Sequence, residues 1–409
     1  MPKAVAPRLS LMMFLNYVVW GSWYVTIGTY LTQTLQFSGT EAGAVFGTAA
    51  LSCMISPFFV GLLADRFFAA ERVMCALHAI GAVLLYLVST AKTFTSVYFL
   101  MLAYCLCFFP TLALTNSITL RNVRNPASDF PRIRLFATLG HIFINVVIGS
   151  LRFERSAMPF VISAGTSVLM ALYCLTLPHT PPKARGLPVT WRSAIGLDAL
   201  VMMRDRAFAI FVIASVLACI PLAFYFSFTN PYLNESGVIN AAGKMTLGQV
   251  TEILMMLLMP AIFRHVSLKT ILLLGLAAWS LRYAMLAFGN ASEGMWLFYG
   301  AILLHGVCYD FFFMTGQLYT DQQAPPRLRG AAQGFMMFLT YGVGMFLGSL
   351  LSGWTIDFFT QFGVRNWRSF WLSSSLAAFL ILLFLAIFFD SKDRIRETQP
   401  ESVPELQSA

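Results

Sequence analysis

The sequence predicts an all-α membrane protein with twelve transmembrane helices in two pseudo-symmetric six-helix halves. Of its 409 residues, 58% are hydrophobic and only 11% are charged, whereas a soluble domain carries about 25% charged residues. The apolar residues form long runs, and a helix of about 20 residues crosses a hydrocarbon core of roughly 30 Å. A polar segment at mid-chain separates two groups of such runs. This composition excludes an ordinary soluble enzyme.

Hydropathy windows of about 19 residues place the helices. They lie at residues 10–32, 40–63, 72–91, 96–118, 132–151, 157–177, 207–232, 245–264, 270–289, 296–319, 331–356 and 368–389. The predicted units are an N-terminal bundle (1–178), a cytoplasmic linker (179–206), a C-terminal bundle (207–390) and a cytoplasmic tail (391–409). Little chain is left for a separate catalytic domain, so we expect no enzyme.

The basic residues predict the orientation. Most of the 27 lysines and arginines fall in loops on the side of the two termini, and the positive-inside rule makes that side cytoplasmic. Because these residues are spread over short loops, the net charge of +9 does not indicate nucleic-acid binding. The seven cysteines lie in predicted helices without metal-ligand spacing, so we interpret them as packing residues and expect no metal.

A short repeat supports the division into halves. Pro131-Arg132-Ile133-Arg134 opens the fifth predicted helix, and Pro326-Arg327-Leu328-Arg329 opens the eleventh. Equivalent motifs in two six-helix halves are typical of a duplicated transporter, which binds its solute between the halves near the bilayer midplane. A twelve-helix protein without symmetry is the alternative.

The loop after the second helix carries a second motif. Its residues, Gly61-Leu62-Leu63-Ala64-Asp65-Arg66-Phe67-Phe68-Ala69-Ala70-Glu71-Arg72, resemble the loop signature of the major facilitator superfamily, with Phe68 in place of a glycine. A carboxylate here can interact with the positive end of a helix and with a nearby arginine. We therefore expect Asp65, Arg66 and Arg72 to act in gating and not as substrate ligands.

Polar residues deep in apolar helices are the candidate site, because an ionisable group there costs about 2.5 to 3.5 kcal/mol. They form stripes at helical spacing: Arg134, Thr138 and His141; Gln249 and Glu252; His305, Tyr309 and Asp310. With the aromatic run that follows Asp310, these stripes predict a polar cavity with aromatic walls, which suits a ring-shaped solute.

Each candidate has a structural alternative. Arg134 could snorkel to the cytoplasmic surface, and we interpret Arg282 as a structural residue that pairs within its own helix. His141 is either packed or in contact with solute, and His78 is structural. Because a buried carboxylate favours its neutral form, Glu252 or Asp310 is expected to take up and release a proton. The alternative is a permanent ion pair with Arg134 or Arg282.

Several segments together resemble one transporter family. They are Trp20-Gly21-Ser22-Trp23, Phe109-Pro110-Thr111-Leu112-Ala113-Leu114-Thr115-Asn116-Ser117-Ile118, Asp129-Phe130-Pro131-Arg132-Ile133-Arg134, Gly196-Leu197-Asp198-Ala199, Tyr309-Asp310-Phe311-Phe312 and Ala331-Ala332-Gln333-Gly334. The chain is similar, nearly end to end, to the nucleoside:proton symporters, the bacterial nucleoside permease group of the major facilitator superfamily.

The resemblance implies roles for individual residues. It implies substrate binding by Arg134, Thr138, His141, Gln249, Glu252, His305 and Tyr309, and proton coupling by Asp310 together with Glu252. His141 and His305 stand where a well-known member has aromatic contacts. Ala223 and Phe226 replace the polar pair of helix 7, which removes amide hydrogen bonds, and Tyr225 or Asn230 are candidates to compensate.

The expected function is proton-coupled import of nucleosides, or closely related glycosidic solutes, across the bacterial inner membrane. We expect a monomer in contact with lipids, with no nucleic-acid partner and no cofactor besides the proton. The nearest alternative is a proton-coupled symporter of sugars or other small polar solutes. Drug efflux, a membrane sensor and a membrane enzyme are less favoured, because the sequence shows polar cavity residues and no soluble signalling domain or catalytic motif.

Overall fold

The computed structural model describes residues 5–59, 67–182 and 196–390, and its secondary structure is almost entirely helical. In the first part of the chain the helices are α1 (Val5–Tyr24), α2 (Gly39–Phe59), α3 (Ala70–Thr90), α4 (Phe94–Asn122), α5 (Pro126–Ser150) and α6 (Met158–Cys174). A short helical segment (Ile27–Thr29) and a π turn (Tyr30–Thr34) extend α1.

The second part follows with α7 (Arg206–Glu235), α8 (Ala241–His265), α9 (Leu268–Phe288), α10 (Met295–Gln323), α11 (Pro326–Phe358) and α12 (Trp367–Phe388). Single-turn 3₁₀ helices lie at Phe153–Arg155 and Pro326–Leu328, and a longer one at Leu197–Arg204. An antiparallel pair of two-residue strands, β1 (Thr360–Gln361) and β2 (Val364–Arg365), joins α11 to α12. Each predicted helix overlaps one of these helices. Most of the predicted linker (183–195) and the tail (391–409) lie outside the described residues.

The surface of these helices is that of a membrane protein. Nine helices in the described ranges are long and apolar enough to cross a membrane. Large apolar side chains point outward, with Leu257 and Ile387 each 71% exposed. A water-soluble fold would bury such side chains, but in lipid they meet an apolar solvent at no cost.

The helices pack mainly within the two parts of the chain. In the first part α1 packs against α5 and α6, and α3 packs against α4 and α6; in the second part α9 packs against α10 and α12, and α7 packs against α11 and α12. Two helix pairs, α2 with α11 and α5 with α8, make the main contacts between the parts. These pairs place the facing surfaces of α5 and α8 at the centre of the molecule.

Two carboxylates bridge the parts at the end of the molecule where α5 and α11 terminate. Glu154, which is buried, accepts hydrogen bonds from the side chains of Asn230 (2.7 Å) and Asn234 (2.6 Å) and from the backbone N–H of Ala242 (3.2 Å). Asp357 at the end of α11 accepts from the backbone N–H groups of Gly39 (2.6 Å) and Thr40 (2.7 Å). Glu154 therefore caps the start of α8, and Asp357 caps the start of α2.

Candidate functional site

The α5 stripe lies on the face that helical spacing predicts. Arg134, Thr138 and His141 are all partly exposed. The guanidinium carbon of Arg134 lies 4.8 Å from the centroid of the Tyr17 ring on α1, and its Nη1 has no hydrogen-bond partner in the described part of the chain. Since Arg134 stacks inside the protein on a tyrosine, snorkelling to the surface does not describe its position.

Helix α1 supplies an aromatic wall beside this stripe, which the sequence analysis did not include in the site. The Trp20 ring lies 6.1 Å from the His141 ring in an edge-to-face arrangement and 5.6 Å from Tyr17. Gly21 makes this contact possible, because a Cβ at that position would lie 2.9 Å from His141 Nδ1. The sequence signal that could have identified this wall is the helical spacing of Tyr17, Trp20 and Gly21 in α1.

Two glycines bring α8 against α10. A Cβ on Gly306 would lie 2.4 Å from the Thr251 carbonyl, and one on Gly248 would lie 3.0 Å from the Cβ of His305. This close approach places the Glu252 carboxylate 3.9 Å from His305 Nε2. The Glu252 side chain is 34% exposed and the His305 side chain 5%, so the carboxylate faces the space between the helices while the imidazole lines its wall.

Arg282 occupies a different place from the one the sequence suggested. It does not pair within its own helix: Nη1 lies 2.9 Å from His305 Nδ1 on α10, and the guanidinium carbon lies 3.5 Å from the centroid of the Tyr225 ring on α7. The prediction was wrong because the contact depends on how α9 packs against α7 and α10. In the described ranges, neither Arg134 nor Arg282 has a nitrogen within 4.0 Å of a carboxylate of Glu252 or Asp310.

Asp310 lies at a break in α10. The regular helix ends at Tyr309 and a π turn covers Asp310–Met314. Asp310 is 3% exposed, and its Oδ2 has no hydrogen-bond partner among the described residues. Next to it, the Tyr309 hydroxyl makes a short hydrogen bond with the hydroxyl of Tyr341, which lies in a second π turn, Phe338–Gly344 of α11. The sequence analysis missed Tyr341, because its predicted helix is otherwise apolar at that point.

Arg134 on α5 and Glu252 on α8 are both partly exposed beside the contact between these two helices, and we call the space that they face the cavity. Gln249 is partly exposed, and its amide nitrogen, when oriented to donate, reaches the carbonyls of Met245 (3.1 Å) and Thr246 (3.3 Å) in its own helix. The cavity is thus bordered by a cation, a carboxylate and an amide, and the Asp310 carboxylate is buried in the adjoining wall.

Comparison with known proteins identifies the family of the chain. A family model described as "Nucleoside H+ symporter" matches residues 3–394 of the chain. The chain belongs to the nucleoside H+ symporter family. YegT of Escherichia coli strain K12 is 38% identical over 401 residues, covering 94% of each chain, and the xanthosine permease of the same strain is 31% identical over 404 residues, covering 95% of this chain and 96% of the permease.

A solved structure extends the match to three dimensions. The crystal structure of the nucleoside transporter NupG superposes with a TM-score of 0.88 at 29% identity, covering 95% of this chain and all of that one. The predicted family is therefore confirmed. The fold of this symporter family member is all-helical and matches that of major facilitator transporters.

Helix α7 shows what replaces the polar pair of the family pattern. Ala223 is fully buried, and a Cβ on Gly348 of α11 would lie 2.8 Å from its Cβ, so a longer side chain would not fit. Phe226 borders the cavity, with its ring 6.4 Å from the His305 ring. Asn230 is fully buried and bonded to Thr29 and Glu154. Asn230 therefore does not compensate for the lost amides.

Of the predicted gating residues, Arg72 alone falls in the described part of the chain. Asp65 and Arg66 fall outside the described residues, and Arg72 at the start of α3 is exposed. The neighbouring Glu71 is buried, and its carboxylate accepts from the backbone N–H of Thr180 (3.0 Å) and lies 2.8 Å from His179 Nδ1. The gating roles stay a prediction. His78 bonds to Ser167 (3.0 Å) between α3 and α6, a structural position as expected.

Proposed function

We propose that this member of the nucleoside H+ symporter family imports nucleosides or closely related glycosidic solutes together with protons. The observation that carries the proposal is that Arg134 on α5 and Glu252 on α8 lie on two helices that join the parts of the chain, beside the Tyr17 and Trp20 rings. A base stacks on aromatic faces, and sugar hydroxyls pair with carboxylate, amide and guanidinium groups.

In this proposal the predicted residues divide into two roles. Arg134, Thr138, His141, Gln249, Glu252, His305 and Tyr309 bind the solute. Asp310 carries the proton, with Glu252 as the second titrating group. The burial of Asp310 and its carboxylate oxygen without a hydrogen-bond partner in the described structure support this role, because an unpaired buried carboxylate is stable only when protonated.

Transport proceeds by alternating access between two six-helix halves, residues 1–178 and 207–390, in a twelve-helix major facilitator fold. The contacts between the halves support this symmetry, because α2 with α11 and α8 with α5 are equivalent pairs if the second half repeats the first. With cytoplasmic termini, the carboxylate caps of Glu154 and Asp357 lie on the outer side. The solute enters when these bonds break and the halves rock apart there.

The proposal also covers the membrane, the orientation of the chain, its oligomeric state and its cofactor. The chain is a multi-pass protein of the bacterial inner membrane with both termini in the cytoplasm, acts as a monomer, and is not an enzyme. The distribution of lysines and arginines supports the orientation. The coupling ion, a proton, is the sole cofactor the mechanism requires.

A second candidate is proton-coupled import of sugars or other small polar solutes. The α7 positions favour it specifically, because Ala223 and Phe226 offer no amide to a base. In that case the solute is held by the carboxylates and Arg134 alone, without recognition of a base edge.

The test is thermal unfolding of the purified protein with nucleosides, nucleobases and sugars, because a ligand that binds the folded state raises the melting temperature. A rise with nucleosides that is lost in Arg134→Gln supports the proposal. Arg368→Gln is the matched control, since Arg368 also stacks on an aromatic ring, 4.6 Å from the Phe288 centroid, at the start of α12. A rise with sugars alone favours the second candidate, and no rise with any compound contradicts both.

A further inference from the structure

Arg282 is a buried cation that the proposed function does not use. It is 0% exposed, in the middle of the apolar helix α9. A buried charge needs compensating partners, yet Arg282 makes no ion pair with a carboxylate among the described residues. Its compensation comes from the Tyr225 ring, 3.5 Å from the guanidinium carbon, and from His305 Nδ1, 2.9 Å from Nη1.

The hydrogen bond to Arg282 determines which nitrogen of His305 carries the proton. A guanidinium has donors only, so His305 Nδ1 must accept with its lone pair. The neutral imidazole then carries its hydrogen on Nε2. This Nε2 is the atom that lies 3.9 Å from the Glu252 carboxylate.

Aromatic contacts hold the imidazole in that orientation. The His305 ring stacks on Tyr225 at 5.6 Å with an interplanar angle of 20°, so one tyrosine contacts both Arg282 and His305. On its other flank, the Tyr309 ring lies 5.8 Å from His305. The ring therefore has little freedom to flip and exchange its two nitrogens.

We propose that Arg282 is a positioning residue, which holds His305 as the Nε2–H tautomer so that a hydrogen-bond donor stands beside the Glu252 carboxylate. The donor and the carboxylate then form an adjacent donor–acceptor pair on the cavity wall. Such a pair fits a hydroxyl group of the solute, which accepts from Nε2–H and donates to the carboxylate. This inference rests on the proposed function for the identity of the solute, but the tautomer does not depend on it.

The first test is nitrogen NMR of protein labelled with ¹⁵N-histidine. The chain has five histidines, so the His305→Gln variant identifies the His305 signals. The expected result for the unaltered protein is a neutral ring with Nε2 protonated and Nδ1 unprotonated. In Arg282→Leu this tautomer no longer dominates, and in Arg282→Gln, which retains an N–H donor, it persists. A protonated Nδ1 in the unaltered protein overturns the proposal, and this result can be obtained without any Arg282 variant.

The second test is affinity for uridine, adenosine, inosine and xanthosine. Arg282→Leu weakens binding of the best ligand about tenfold, as expected for losing one oriented hydrogen bond to a charged group, whereas Arg282→Gln stays within about threefold. Arg368→Leu, at the other arginine–aromatic contact, is the matched control and leaves affinity unchanged. Equal affinity of Arg282→Leu and the unaltered protein overturns the positioning role.

The two proposals fail differently. If no nucleoside binds but the Nε2–H tautomer is present and is lost in Arg282→Leu, the nucleoside assignment fails and the tautomer assignment stands. If nucleosides bind and the tautomer is absent, the tautomer assignment fails and the nucleoside assignment stands. Should Arg282→Leu not fold, the spectrum of the unaltered protein and the Arg282→Gln affinity decide the outcome.

Discussion

Two arginines in this molecule stack on tyrosine rings, and each has a guanidinium nitrogen without a hydrogen-bond partner among the described residues, but they differ in exposure. Arg134 lies 4.8 Å from the Tyr17 ring, is partly exposed, and has a nitrogen without a described partner. Arg282 lies 3.5 Å from the Tyr225 ring, is fully buried, and bonds to His305. An arginine in an apolar helix therefore does not by itself indicate a solute ligand. In the two proposals, the arginine that is partly exposed binds solute and the fully buried arginine orients His305.

The two walls of the cavity differ in the charged groups that they carry. The wall from α1 and α5 carries Arg134 and aromatic rings, whereas the wall from α8 and α10 carries Glu252 and Asp310. In the proposed mechanism the acidic wall changes charge during transport and the basic wall does not. Proton coupling and solute binding should therefore be separable by mutation.

The largest expected effect belongs to the acidic wall. Asp310→Asn abolishes uphill accumulation of nucleoside, because the amide cannot carry the proton, while exchange of labelled for unlabelled nucleoside continues. Uptake and counterflow in proteoliposomes measure both processes. Asp390→Asn, at an exposed aspartate just after α12, is the matched control and changes neither. If Asp310→Asn still accumulates nucleoside with an unchanged dependence on the pH gradient, another group carries the proton coupling.

The next effect belongs to the basic wall. Arg134→Gln weakens nucleoside binding at least about tenfold, since it removes a charged donor from the cavity, and it leaves the His305 tautomer as it was. Arg282→Leu changes both the affinity and the tautomer. Calorimetric titration and the histidine spectrum separate the two arginines. If both variants alter the tautomer, or if neither weakens binding, the proposed difference between the two arginines is contradicted.

The smallest effect on binding is expected at the Glu154 contacts between the two parts of the chain. Glu154→Gln puts an amide nitrogen among donors that face the carboxylate, which lowers the free energy of unfolding by about 1–3 kcal/mol and favours the conformation open to the outside. Nucleoside affinity changes little. Spin-label distances between α2 and α11 measure the opening, with Glu293→Gln, at an exposed glutamate between α9 and α10, as the control. Unchanged distances with lowered affinity would place Glu154 in the binding site instead.

The helices and the polar stripes were predictable because both rest on local rules. A run of about 20 apolar residues defines a span, and helical spacing alone put Arg134, Thr138 and His141 on one face. Glu252 and Asp310 were predictable for a similar reason, because a carboxylate in an apolar run is costly wherever it lies.

Partners across helices were not predictable from the sequence. Arg282 bonds to α10, Glu154 caps α8, and Tyr341 reaches Tyr309 through a π turn. The first two contacts join segments whose proximity the sequence does not show, and the third depends on a local change of helix type. Such contacts follow from the three-dimensional arrangement of helices that are far apart in the chain.

The central claim is that nucleoside and proton enter together through this cavity. It is tested most directly by proteoliposomes that contain a pH-sensitive dye and the transporter, with equal pH on both sides and no membrane potential. Adding nucleoside outside should acidify the lumen with the unaltered protein and leave its pH constant with Asp310→Asn. Nucleoside entry without acidification, or acidification by sugars and not by nucleosides, would contradict the claim.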